Sequence, residues 1–210
     1  MTQISAAEDI GALWLQTLQR ALTRAAHDVK DALNGVTVNL EVIRTRAGRT
    51  DMQASAIEPF AEAAVSQLER LTTLVDAVLA LGRPEPEPVD IASVLRRVSV
   101  LCSASPSSSD ARVRVVVRDA ADPTMSRVGG AAARVALAAT LLDAATGVPR
   151  AAPASEVVCT ISGTADDVSV RIAAAGRRLA LAEHVAEAVR AAGVSCREGD
   201  RDITLTFPRG

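Results

Sequence analysis

From Leu15 onward, apolar residues recur at alternating steps of three and four: Leu15, Leu18, Leu22, Ala25, Val29, Ala32 and Val36, with Leu40 and Ile43 continuing one position late. That spacing predicts a long helix with an a/d seam of the kind helices use to pack on helices. A second run, Ile57, Ala61, Ala64, Leu68, Leu71, Val75 and Val78, repeats it. Between the two, Arg46 to Gln53 is polar and contains Gly48, which is turn material. Ser55 is the expected N-cap of the second helix, with Glu58 as its capping-box partner and Pro59 tolerated in the first turn. Gly82-Arg83-Pro84 ends that helix. Residues 1–83 therefore read as an antiparallel helical hairpin. Its continuous stripes exceed what one seam between two helices buries. Dimerisation into a four-helix bundle is the economical solution, and packing against the rest of the chain is the alternative.

Pro84-Glu85-Pro86-Glu87-Pro88 is a stiff, extended linker and marks the domain boundary at residues 84–88. Beyond it, residues 89–210 begin with an amphipathic helix (Ile91, Val94, Leu95, Val98, Leu101) and a serine-rich loop from Ser103 to Asp110. Strands follow at Arg112–Arg118, Val157–Ser162, Val168–Ala173 and Ile203–Phe207, with helices near Ala131–Ala145 and Leu181–Ala192. Asp166-Asp167 and Glu198-Gly199-Asp200 read as turns. Mostly antiparallel strands with helices in this order predict an α+β protein, the hairpin followed by an α/β sandwich with helices on one sheet face.

Composition narrows the function. Of 210 residues, 49% are apolar, enough for a packed core, and only Trp14, Phe60 and Phe207 are aromatic. A net charge of -2 supplies no general basic field, so nucleic acid is not an expected partner. Cys102, Cys159 and Cys196 are widely spaced without a CxxC pair and read as reduced core residues of a cytoplasmic protein. The most apolar stretch, Val135 to Val148, is interrupted by Asp143 and falls short of the ~20 residues a membrane helix needs. No Ser-His-Asp set, catalytic carboxylate pair or metal cluster follows from spacing.

One position stands out. In the heptad register His27 falls at f, farthest from the seam, and Arg20, Arg24, Asp31 and Asn34 share its face at helical spacing. An exposed imidazole, neutral over much of the physiological range, is a competent nucleophile, and flanking arginines suit a phosphoryl group. His184, between Glu183 and Glu187, reads instead as a solvated or helix-stabilising residue.

The segment His27-Asp28-Val29-Lys30-Asp31-Ala32-Leu33-Asn34 resembles the H-box of the dimerisation and phosphoacceptor domain of sensor histidine kinases. The resemblance implies that His27 accepts phosphoryl and that Asp28 orients or deprotonates it, with Lys30 offsetting charge. Asp31 stands where the family has the Asn or Thr that positions water for phosphatase activity. Ala32 replaces a kinking proline, so a straighter helix is expected. Pro88-Val89-Asp90-Ile91 and the element order after it resemble the family's catalytic ATP-binding domain in degenerate form. Asp143 stands at the place of a magnesium-binding asparagine, and Ala174-Ala175-Gly176-Arg177-Arg178 at that of an adenine-reading Asp-x-Gly-x-Gly. Ala173 to Leu179 then runs almost directly into the next helix, where the family inserts a lid.

The expectation is a dimeric histidine phosphotransferase of a two-component phosphorelay. It would pass phosphoryl between His27 and an aspartate on a response-regulator receiver domain, without loading from ATP. His27, Asp28, Lys30 and Asp31 form the expected catalytic set, and Arg20, Arg24 and Asn34 the expected partner contacts. No cofactor or metal of the chain's own is expected, the Mg²⁺ being held by the receiver. The alternatives are a divergent ATP-dependent histidine kinase and a non-enzymatic scaffold for receiver domains.

Overall fold

A computed structural model describes residues 2–49, 54–83, 87–102, 114–119, 124–146, 156–174 and 178–209. The serine-rich loop, the centre of the proline linker and residues 175–177 lie outside them. Helix α1 (Thr2–Ala47) runs unbroken, in keeping with Ala32 in place of proline, and α2 (Glu58–Leu81) returns beside it. A short 3₁₀ turn at Ala54–Ala56 joins them. The expected capping box does not form: Ser55 lies in the 3₁₀ turn, and Ile57 caps α2 with no side-chain bond. Pro59 instead supplies the preset backbone of the first turn.

The seam within the hairpin is rotated from the expected one. Leu13, Thr17, Ala21, Ala25, Asp28, Ala32 and Val36 are buried, whereas Leu15, Leu22, Leu33 and Leu40 stay exposed. Small residues explain the choice, because alanines at the contact let the two helix backbones approach closely. The larger leucines are left on an adjacent, unpartnered stripe, matched on α2 by Val65, Leu68, Val75 and Leu79.

The sandwich opens with β1 (Val89–Asp90) and α3 (Ile91–Cys102), whose first turn is capped by Asp90 Oδ1 accepting from the Ala92 and Ser93 amides. Then come β2 (Arg114–Asp119), β3 (Met125–Ser126), α4 (Gly130–Thr146), β4 (Glu156–Gly163), β5 (Asp167–Ala174), α5 (Glu183–Ala191), β6 (Ser195–Glu198) and β7 (Asp202–Pro208). The main sheet has the order β2-β4-β5-β7-β6; only the β2–β4 pair is parallel. β1 and β3, which the sequence did not suggest, form a separate antiparallel pair. β6 was also missed, being short and polar, although the Glu198-Gly199-Asp200 turn that follows it is present. Gly193 ends α5 with a positive φ that only glycine adopts freely.

One face of the sheet carries the core. Val157, Cys159, Ile161, Val168, Val170, Ile172, Ile203, Leu205 and Phe207 point inward against a helix layer in which α4 is apolar nearly all round. The same core continues into the hairpin through Leu13, Ala21, Ala25, Ala77 and Leu81. Helix α1 packs on α4 and α5, and α2 on α3. The hairpin thus uses its far end to cover the helix layer, and the architecture is α+β: hairpin, helices, sheet.

Candidate functional site

His27 projects from the middle of α1 with its side chain 68% exposed. The ring stands about 100° around the helix from Asp28, which the seam buries, and so stays in solvent. Its Nδ1 lies 3.3 Å from Asp31 Oδ2, one helical turn on. A carboxylate at that nitrogen favours the tautomer with the proton on Nδ1, which leaves the lone pair on Nε2. An imidazole so placed turns Nε2 away from the carboxylate, where its lone pair can act as a nucleophile.

Asp28, the neighbour expected to orient His27, is placed elsewhere. It is 7% exposed, in the α1–α2 seam, and its Oδ2 is buried without a hydrogen-bond partner among the described residues. Burial raises its carboxyl above the ordinary value against the opposing pull of Arg24 and Arg70. A step of one residue turns a side chain about 100° around a helix, so His27 and Asp28 cannot share a face, whereas i and i+4 can. Asp31 therefore takes the orienting place. Lys30 and Asn34 are exposed.

Arg20 and Arg24, expected to be free for a partner, are engaged with the second half of the chain. Arg20 Nη2 donates to Asp143 Oδ1 of α4 at 2.6 Å, and Arg24 Nη2 to the Cys102 carbonyl at the end of α3 at 3.3 Å. The Arg24 Nε is buried without an acceptor among the described residues. Arg20 and Asp143 are both partly solvated, so their pairing is worth at most about 1 kcal/mol. Apolar packing of α1 on α4, rather than this ion pair, holds the halves together.

Two α2 and α4 residues escaped sequence reasoning. Arg70 of α2 faces Asp28 across the seam, a place that its spacing from Leu74 and Ala77 could have suggested. Arg134 of α4 is buried; its Nη1 donates to the Leu81 carbonyl at 2.8 Å and the Arg83 carbonyl at 2.7 Å, and its guanidinium lies 4.7 Å from the Trp14 ring centroid. It closes the C-terminal end of α2, where orphan carbonyls favour a cation. Nothing in the spacing of an all-apolar helix marks that role.

The cysteines are free thiols, with Cys102 and Cys159 fully buried; burial pushes each up to about 12. His184 is exposed on α5, as expected of a solvated residue. Among the described residues no group of His, Cys, Asp and Glu could hold a metal ion, and no helix is long and apolar enough to cross a membrane.

No protein-family model matches the sequence, and no curated protein matches it. Similar solved structures include a blue-light activated histidine kinase of Erythrobacter litoralis EL346, at 13% identity and a TM-score of 0.40, covering 91% of this chain and 59% of that one. The histidine kinase AdeS of Acinetobacter baumannii matches at 12% identity and a TM-score of 0.40, covering 88% of this chain and 98% of that one. The histidine kinase ThkA, in a complex with the response regulator protein TrrA, matches at 10% identity and a TM-score of 0.46, covering 100% of this chain and 67% of that one. The chain thus spans 59% of the length of the Erythrobacter kinase. With TM-scores below 0.5, these likenesses transfer no residue role.

Proposed function

We propose that the chain is a histidine phosphotransferase that works as a homodimer and exchanges phosphoryl with an aspartate of a receiver domain. The single observation carrying this reading is the solvent-facing His27 ring with Asp31 at Nδ1. In the forward step Nε2 attacks the phosphorus of the receiver's aspartyl phosphate. The N–P bond forms as the P–O bond breaks, the carboxylate leaves with the electron pair, and the proton stays on Nδ1 facing Asp31. The receiver would supply Mg²⁺ to neutralise the transferring oxygens. The unpartnered leucine and valine stripe on α1 and α2 supports the homodimer part of the reading, since such a stripe is costly in water.

Loading from a receiver rather than from ATP is favoured by two features. Residues 175–182 alone connect β5 to α5, too few for a lid over phosphates. Asp143, at the position that resembles a metal-binding asparagine, already holds Arg20 of α1. Incubation with a phosphorylated receiver tests the reading: wild type should drain the label onto itself and His27→Ala should not. Drainage by the alanine variant would refute the role of His27, and labelling of wild type by γ-labelled ATP alone would establish the kinase alternative.

A further inference from the structure

The sheet face away from the helices carries an ordered row of charge. By register, Arg118 of β2 lies beside Thr160 of β4, Thr160 beside Arg171 of β5, Arg171 beside Thr204 of β7, and Thr204 beside Arg197 of β6. The row therefore reads Arg-Thr-Arg-Thr-Arg straight across all five strands. With strands about 4.8 Å apart, its arginines recur every ~10 Å. The flanking rows are Val116, Val158, Ala173 and Asp202 on one side, and Ser162, Ser169, Thr206 and Ser195 on the other. All three arginines are exposed, and no described helix packs on this face. Arg171 is ion-paired with Asp202, while Arg118 and Arg197 have no ion pair among the described residues.

We infer that this face is a docking surface for an acidic helix of a partner protein. Carboxylates at i and i+14 of a helix share a face and stand about 21 Å apart, close to the ~19 Å that four strand spacings put between the unpaired Arg118 and Arg197. A guanidinium binds a carboxylate through two parallel bonds, and the row of Ser162, Ser169, Thr206 and Ser195 beside the anchors is short and hydroxyl-bearing. A nucleic acid is the poorer fit: two unpaired arginines neutralise about two phosphates, which gives weak non-specific binding, and the chain as a whole is acidic. Because α1 packs on the opposite side of the helix layer, the row is remote from His27. Docking there leaves the phosphoacceptor face open, and the inference holds whether or not His27 carries phosphoryl.

The test is fluorescence anisotropy on the full chain with a labelled helical peptide bearing glutamates at i and i+14, a lysine twin, and a short DNA duplex. The acidic peptide should bind at low salt, weaken with added salt, and lose about tenfold or more in affinity to an Arg118→Glu/Arg197→Glu variant. Arg118→Gln/Arg197→Gln, which adds no repulsion, should show a smaller loss and guards against misfolding of the first variant. Labelling of His27 by a phosphorylated receiver should be unchanged in both. Equal binding by wild type and variants, no binding of the acidic peptide, or tighter binding of the duplex than of the peptide would each overturn the inference.

Discussion

At the scale of single residues, the consequence lies in which aspartate serves the histidine. Asp31→Asn removes the carboxylate at Nδ1 while keeping the shape. It should slow phosphoryl acceptance from a receiver by at least about tenfold, measured as the initial rate of label transfer. Asp28→Asn should leave that rate within about twofold, because Asp28 lies in the seam. Its signature is instead in stability. Burial raises the Asp28 carboxyl above 3.8 in the fold, so its proton-bound form stabilises the native state at low pH, and that contribution is lost as pH rises through the folded value. At neutral pH the burial of Asp28 costs stability. The asparagine variant should therefore melt about 2–4 °C higher at pH 7, the shift that ~1 kcal/mol gives a chain of this size, with the gain vanishing in acid. An unchanged melting temperature at both pH values would show that Arg24 and Arg70 fully offset the buried charge. Both carboxylates were visible as candidates in the sequence; the exchange of their places needed only the 100° step, applied to a seam centred on Ala21, Ala25 and Ala32 rather than on the leucines.

Elements were more legible than their faces. The three-four spacing located both hairpin helices, and the alternation in Val157–Ser162 and Val168–Ala173 located two strands within a residue or two at each end. Helix α4 was found by its length of apolar residues. What the pattern did not settle was rotation: two overlapping stripes run along α1, one of alanines and one of leucines. Size decides between them only when the partner helix is known. β6 escaped because Ser195–Glu198 has no apolar alternation, its place being set by pairing with β7. The leucine stripe makes an oligomer prediction at this scale. Wild type should sediment as a dimer, and Leu40→Lys/Leu68→Lys should sediment as a folded monomer with unchanged far-ultraviolet dichroism. A monomeric wild type would remove the homodimer from the proposal.

Across the whole molecule, the hairpin and sandwich share one apolar core, the arrangement that sequence reasoning held as the alternative to dimerisation. The proline-rich linker marked a boundary, yet Trp14, Leu81 and Arg134 bridge it. Arg134→Ala leaves the Leu81 and Arg83 carbonyls without their donor and should lower stability by about 2–3 kcal/mol. Calorimetry should then resolve two transitions where wild type shows one, the hairpin separating from the sandwich first. The join also has a built-in clock. Cys102 ends α3 under the carbonyl that Arg24 grips, and its thiol, pushed up to about 12, stays protonated and sheltered while the halves are together. Alkylating reagents attack only an accessible thiolate. In a Cys196→Ser background, the pace at which Cys102 is alkylated relative to Cys159 then counts how often the helical arm lifts from the sandwich, with and without a phosphoryl group aboard.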